Sequence, residues 1–306
     1  TVRGQSPRAQ YGAGYYHVHR ADLHQLLAQA LDTACPGAIR TGRKLTGARH
    51  AGSGVELDFA DGSSATADAV VGADGVRSVL RDALFETQGA RFTGHVAWRG
   101  LVPVERLDPD VAAAAPGIHI GPGQMFLRYP LRDGSLINYA AFARQEGWLD
   151  EGWSARASLA DPLAVFGDWD RLASGVIAAT PPDGVYKWAL FGRAPLKTWV
   201  SGRATLIGDA AHAMLPFMGQ GAASSIEDAM VLARCLDAET SVEAAFALNE
   251  ATRRSRAEFI QATSRVVGEK LVAKIGWGGG YTARGGAVMN PNTTPRNKAG
   301  GVTNVL

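Results

Sequence analysis

The chain has 306 residues, 46% of them hydrophobic and 20% charged, the composition of a globular protein able to bury a sizeable core in one or two domains. Its 31 basic and 29 acidic side chains leave a formal charge of +2, which excludes the basic stripe of a nucleic-acid binder and a surface built for an acidic partner. No apolar run is long enough to span a bilayer as a helix. The 2 cysteines, Cys35 and Cys235, argue against a disulfide framework or a metal site and make a cytoplasmic setting the default.

In chain order, the first strong pattern is His19-Arg20-Ala-Asp-Leu-His-Gln-Leu-Leu27, where Leu23, Leu26, Leu27, Ala30 and Leu31 recur at helical spacing. It predicts an amphipathic helix with Arg20 just ahead of the apolar face. Val55, Leu57 and Phe59 alternate before Asp61-Gly62 and predict a hairpin whose next strand runs on towards Val70-Val71. Ala69-Val-Val-Gly-Ala-Asp-Gly-Val-Arg-Ser-Val-Leu-Arg81 then reads as a buried strand entering a turn, with Asp74-Gly75 at the strand end. An Asp-Gly pair by itself signals only a turn.

From 92 to about 143 the pattern is a second sheet, with strands over 96–102, 118–129 and 136–142. A helix is predicted over 161–172, and a strand over 186–190 returns to the first domain. Arg99, in Trp98-Arg-Gly100, presents a fork of donors that can grip a carboxylate, although an arginine on a sheet edge is equally often solvated. His95 and His119 on strands and His212 in a loop read as structural histidines, His212 as one satisfied by backbone, and no general base is assigned.

The most informative stretch is Arg203-Ala-Thr-Leu-Ile-Gly-Asp-Ala-Ala-His-Ala-Met-Leu-Pro-Phe-Met-Gly-Gln-Gly-Ala-Ala-Ser-Ser-Ile-Glu-Asp-Ala229. Thr205, Leu206 and Ile207 form a short strand that stops at Gly208, where the missing side chain lets a ligand lie against the backbone. Asp209 follows, a carboxylate able to accept hydrogen bonds from hydroxyl groups, and Ala210 and Ala211 leave room beside it. After Pro216, the loop Gly219-Gln220-Gly221 leads into a helix with apolar positions at Ala222, Ile226, Ala229, Met230, Ala233 and Leu236. The free N–H groups and positive dipole end of such a helix favour a nearby anion. One or two helices follow from 243 to about 273, and the Gly-, Asn-, Thr- and Pro-rich sequence after 276 reads as disordered.

The 203–229 stretch closely resembles the second FAD motif of single-component aromatic-ring monooxygenases, the salicylate hydroxylase-like branch of the para-hydroxybenzoate hydroxylase family. The 69–81 segment, with Ser78 and Arg81 at matching spacing, is similar to that family's Asp-Gly motif. The resemblance covers roughly residues 11 to 270. It implies an α/β fold: an FAD-binding, Rossmann-like domain over 1–90 and 191–275, a mainly β substrate domain over 91–190, and the tail 276–306. The family's opening strand, G-x-G-x-x-G loop and helix have no match here, since Gly12-Ala-Gly14 lacks a preceding strand and Gly276-Trp-Gly-Gly-Gly280 follows a long helix. The chain is therefore expected to be an N-terminally truncated piece, and a non-catalytic fragment of the same fold is the alternative.

The resemblance further implies FAD as cofactor, NADH or NADPH as reductant, and oxygen transfer to a small aromatic substrate through a C4a-hydroperoxyflavin. The negative charge of a reduced flavin ring suits the helix start at Gly221. Cofactor contacts are expected from Arg20, Asp74, Gly75, Gly208, Asp209, Pro216, Gly219, Gly221 and Ala222, with Asp74 acting on the diphosphate region indirectly and in nicotinamide-nucleotide binding. Phe126-Leu-Arg-Tyr-Pro-Leu-Arg132 matches the family's substrate strand and makes Tyr129 the leading substrate contact, with Arg99 as a second candidate. Relatives carry histidines where this chain has Met125 and Phe217, so the substrate wall is more apolar and a larger or less polar aromatic is expected. Halogenases of similar fold carry Trp-x-Trp-x-Ile-Pro, and no two of the 7 tryptophans here stand two apart.

Overall fold

A computed structural model describes residues 12, 14–147, 155–271 and 287–289. The chain divides into two compact units, one made of 37–93 and 191–270, the other of 94–190 together with 1–36 and 271–306. The helix over Arg20–Ala34, which the sequence reading places in the first domain, falls in the unit that holds the second sheet. Of the expected tail, only Ala287–Met289 lies among the described residues, as a short strand.

In the first unit, strands β1 (Leu45–Ala51), β2 (Gly54–Phe59) and β3 (Ser64–Ala67) form an antiparallel meander. The alternation at Val55, Leu57 and Phe59 sits on β2, and its hairpins fold as the turn residues require. Strand β4 (Val70–Gly72) belongs to a different sheet, in which it runs parallel to a strand over Ala204–Leu206. A parallel pair cannot be closed by a tight turn, so the intervening chain must leave and return. Sequence predicted β4 as buried, yet it is the edge strand of a three-stranded sheet and Val71 is 39% exposed.

After β4, helix α1 (Val79–Leu84) packs against β1. Its apolar residue Leu80 enters a core with Leu196, Trp199, Leu206, Ala210, Ala211 and Ala257. Burying a side chain the size of Leu80 contributes about 1.5–3 kcal/mol. Two long helices complete the unit: α2 (Gly221–Ala238) and α3 (Val242–Leu271), the latter capped by Ser241, whose hydroxyl accepts from Ala244 N at 3.2 Å. On α2 the outward face is the apolar one, with Ile226 at 50% and Met230 at 52% exposure. The inward face carries Ser224, Asp228, Leu232 and Cys235, selected by the ion pair of Asp228 described below.

The second unit is built on an antiparallel run of β6 (Gly117–Gly121), β7 (Gln124–Leu131), β8 (Leu136–Arg144) and β5 (Arg91–Pro103). Register places Tyr129 opposite Asn138, Met125 opposite Phe142 and Arg99 opposite Ala140. Directly paired residues share a face, so Met125, Tyr129 and Arg99 point to one side. The other side carries Trp98, Phe126 and Tyr139, packed with Phe166. At Gly100 a Cβ would meet the Tyr139 ring at 2.5 Å, so glycine is required for this close approach.

The helix predicted over 161–172 is shorter, Ala160–Phe166, because the chain breaks at Gly167 and resumes as a short helix over Ser174–Ala178. The N-terminal helix spans Arg20–Ala34 as its periodicity predicts, but Leu26 and Leu27 remain 63% and 60% exposed. Among the described residues, no helix is long and apolar enough to cross a membrane.

Candidate functional site

The site grows from two parallel strand ends. Strand β9, over Ala204–Leu206, lies beside β4 with Leu206 opposite Gly72, and Ile207 N donates to Gly72 O at 3.0 Å. Asp74 follows one strand by two residues and Asp209 follows the other by three. Both predicted carboxylates therefore follow the carboxyl-terminal ends of neighbouring strands of one sheet, where ligands of open α/β folds bind.

Each loop is built around its carboxylate differently. One oxygen of Asp74 accepts from Val79 N at 2.8 Å and Leu80 N at 3.2 Å, while Ser78 Oγ accepts from Arg81 N at 3.0 Å. Together they cap the first turn of α1, with Gly75 supplying the left-handed turn at φ 80°. Asp209 is half-buried and its carboxylate has no hydrogen bond or ion pair among the described residues. It begins a single helical turn, Asp209–His212.

Arg81 ties the two loops. Buried at 1% exposure, it donates from Nη1 to Ala210 O at 3.0 Å and from Nη2 to Val76 O at 2.8 Å. The planar fork of a guanidinium reaches both carbonyls from one fixed group. One side chain thus joins the residue after Asp209 to the residue after Gly75.

A second buried group shapes the strand end. The carboxylate of Asp228, fully buried on α2, accepts from Gly208 N at 2.9 Å, His212 Nε2 at 2.6 Å and Arg253 Nε at 2.8 Å. Burial is the largest influence on this carboxyl and pushes its pKa upward, but hydrogen bonds and charge from His212, Arg253 and the Gly208 amide outweigh it, so the net shift is below the ordinary carboxylate value. His212 also lies against Trp199, ring centroids 5.0 Å apart. Its partner is a carboxylate, not the backbone expected from sequence.

Gly208 itself has φ 58° and ψ −142°, and a Cβ there would stand 2.7 Å from Ser225 Oγ. From α3, Gln261 Nε2 donates to Ala213 O at 2.8 Å and Ser264 Oγ donates to Leu215 O, fixing the loop that leads to Pro216. Phe217 packs on α3 against Gly268, where an added Cβ would run into its ring.

Pro216–Met218 form a 3-10 turn closed by Gly219 at φ 64°, and α2 starts at Gly221 with no side chain capping its first N–H groups. A Cβ added at Gly221 or at Gly75 would meet nothing within 4 Å. Ala222 is exposed next to it. Open space therefore borders the free donors of α2, and a partnerless carboxylate stands on the adjoining strand end. These residues fit a group that combines hydroxyls with negative charge.

In the second unit, Tyr129 stacks on His17, ring centroids 4.3 Å apart and planes 17° from parallel. Burial pushes its phenol upward, Arg99 opposes that and Tyr15 reinforces it. Arg99 lies over the Trp188 ring at 4.8 Å. Part of its surface is exposed, yet the protein packed round its guanidinium lowers its pKa, Tyr129 opposing and Arg20 adding to the shift. Arg20, Arg99 and Tyr129 are thus electrostatic neighbours, and neither arginine has a carboxylate partner among the described residues. Met125 is buried on the face that carries Tyr129.

Sequence reasoning missed Asp228, Arg253, Gln261, Ser264 and His17, and named Arg81 only for its spacing. The acidic pair Glu227-Asp228 in the second turn of α2 was the available signal for the first of these. No local pattern pointed to the others, because their partners lie 25 to 129 residues away.

Comparison with known proteins gives the same picture. The family described as "FAD binding domain" matches residues 8–266. A 3-amino-4-hydroxybenzoate 2-monooxygenase of Streptomyces platensis is 40% identical over 238 residues, 78% of this chain and 59% of that protein. The salicylate hydroxylase of Pseudomonas putida is 36% identical over 283 residues, 84% of this chain and 64% of its own length. A solved structure titled as a salicylate hydroxylase substrate complex is 32% identical, with TM-score 0.71, covering 86% of this chain and 68% of that one. The chain spans about six-tenths of the length of the curated relatives it matches first.

Proposed function

The chain belongs to the FAD binding domain family, and from that premise we propose that the protein carrying it is an FAD-dependent monooxygenase that hydroxylates a small aromatic compound with oxygen, using NADH or NADPH. The observation that carries this reading is the Arg81 bridge, which sets the Asp74 and Asp209 loops side by side at the ends of two parallel strands. Relatives named for hydroxylating aminohydroxybenzoate, 6-hydroxynicotinate and salicylate support the substrate class.

Bound FAD supplies the redox chemistry, taking reducing equivalents from the nicotinamide nucleotide and delivering one oxygen atom of O₂ to the ring. The residues of this chain hold and orient. Asp209 accepts hydrogen bonds from sugar-alcohol hydroxyls, Asp74 and Gly75 shape the turn beside the diphosphate, and Arg20 adds positive charge. Gly208, Pro216, Gly219, Gly221 and Ala222 keep the backbone close to the ring system, where the first N–H groups of α2 stabilise negative charge. Tyr129 and Arg99 contact the substrate, with Met125 as apolar wall on the same face of their sheet. A cytoplasmic setting is part of this proposal.

The test is spectroscopic and kinetic. The protein, supplied with FAD and either nicotinamide nucleotide, is screened against aromatic acids, phenols and larger aromatics for oxygen uptake and hydroxylated product. Substrate-stimulated oxidation with stoichiometric hydroxylation is the expected result. A protein that binds FAD but hydroxylates none of them contradicts the assignment.

A further inference from the structure

Two contacts in the second unit hold one short arm of chain against one strand end. Tyr129 stacks on His17 at 4.3 Å. Three residues further along, Arg132 makes a bidentate pair with Asp22, Nε to Oδ2 at 2.9 Å and Nη2 to Oδ1 at 2.7 Å. Tyr15 adds an edge-on contact to His17 at 5.2 Å. The arm is therefore gripped at 17 and 22, and Arg20 lies between the two grips.

Arg132 makes this pair from an unusual backbone. Its φ is 48° and that of Asp133 is 54°, the only positive-φ residues other than glycine among the described residues. L-residues adopt that region rarely, and where they do the surrounding contacts must hold them there. A turn that merely joined β7 to β8 would accept glycine or asparagine at these places. Here an arginine occupies the strained position, and its side chain lands on the carboxylate that opens the Arg20–Ala34 helix. The hydrogen bond from Arg132 is also the main cause holding the Asp22 carboxyl below its ordinary pKa.

We propose that Tyr129 and Arg132 form a two-point clamp that fixes the arm residues His17 and Asp22, and so positions the cofactor arginine Arg20 relative to the substrate tyrosine Tyr129. The proposal rests on the FAD assignment above and adds a role for residues that touch neither cofactor nor substrate. His17 and Arg132 are positioning residues: His17 sets the plane of the Tyr129 ring, and Arg132 sets the start of the helix that carries Arg20. The clamp predicts that cofactor affinity and tyrosine geometry change together when either grip is released.

The experiment uses Arg132→Ala, Asp22→Ala, their double variant, His17→Ala and His17→Phe in the whole protein. Amide hydrogen exchange over residues 22–26, the first hydrogen-bonded turn after the arm, is followed without cofactor, and FAD affinity is read by quenching of flavin fluorescence. Releasing either grip should speed exchange there by about tenfold and weaken FAD about fivefold or more, with the thermal midpoint of the protein unchanged. The double variant should be no worse than either single, because both singles remove one interaction. His17→Phe should keep the stack and restore wild-type values. Unchanged exchange in that turn in Arg132→Ala overturns the clamp, and so does faster exchange with undiminished FAD affinity. If the unaltered protein binds no FAD at all, the cofactor assignment falls and takes this proposal with it, an outcome plainly different from a failed clamp.

Discussion

Arg81 and Ala210, 129 residues apart in sequence, are joined by a 3.0 Å hydrogen bond from a buried guanidinium to a backbone carbonyl. Since the same guanidinium also holds Val76 O, removing it leaves two carbonyls unpaired and separates the loops that carry Asp74 and Asp209. Arg81→Met should destabilise the protein by about 2–4 kcal/mol in urea unfolding. Arg81→Lys, which keeps the charge but has no planar fork, should recover only part of that loss. Equal stability of all three proteins would show that the bridge holds nothing.

Asp228 is the next test, because it is fully buried and answers three donors at once. Asp228→Ala leaves Gly208 N and His212 without their acceptor and Arg253, itself 5% exposed, with Glu227 as its remaining carboxylate at 2.6 Å, and should cost about 2–4 kcal/mol. The pH dependence has a definite sign. The folded-state pKa of Asp228 is depressed, so its contribution is complete above the unfolded carboxylate value, about 4, and is lost as pH falls through the lower folded value. Asp228→Asn should therefore show a flatter acid limb than wild type in stability measured from neutral pH down to about 2. A steeper limb would contradict the assignment of the charge to Asp228.

Two loop glycines separate backbone need from simple space. Gly208, at φ 58° and ψ −142°, occupies a region almost closed to L-residues, and Ser225 Oγ stands 2.7 Å from any added Cβ. Gly219, at φ 64° and ψ 19°, is in the left-handed region that asparagine tolerates. Gly208→Asn should cost about 1–3 kcal/mol or more, whereas Gly219→Asn should cost well under about 1 kcal/mol in the same thermal unfolding assay. Equal losses would mean that conformation is not what selects glycine at 208.

Arg99 gives a prediction about substrate preference. Its guanidinium rests on Trp188 and has no carboxylate partner among the described residues. Arg99→Met should raise KM for carboxylate-bearing aromatics by about tenfold or more while leaving neutral aromatics within about threefold. A uniform change across both classes would remove Arg99 from substrate recognition and leave it a packing role.

How far the sequence could be read depends on the range of the interaction concerned. The hairpin at Asp61-Gly62, the Arg20–Ala34 helix and the strand-turn-helix after Thr205 rest on local periodicity and turn chemistry, and all three were legible. That β4 and β9 are parallel neighbours was not legible, since no local signal pairs strands more than a hundred residues apart. Which face of α2 turns inward was not legible from spacing, for a physical reason. Hydrophobic spacing favoured Ile226 and Met230, but the buried bonds of Asp228 to Gly208, His212 and Arg253 turn the opposite face in. The positive-φ turn at Arg132 was likewise invisible, because arginine carries no preference for that conformation.

Asp209 offers the most direct measurement, because its carboxylate has no hydrogen-bond or ion-pair partner among the described residues and can be removed without breaking a contact seen there. FAD is titrated into the unaltered protein and into Asp209→Ala, with flavin fluorescence reporting binding and circular dichroism reporting folding. The account predicts equal thermal midpoints and an FAD dissociation constant raised about a hundredfold or more, the worth of two or more charge-assisted hydrogen bonds. An Asp209→Ala protein that binds FAD as tightly as the original would contradict the claim that the paired strand ends hold the cofactor.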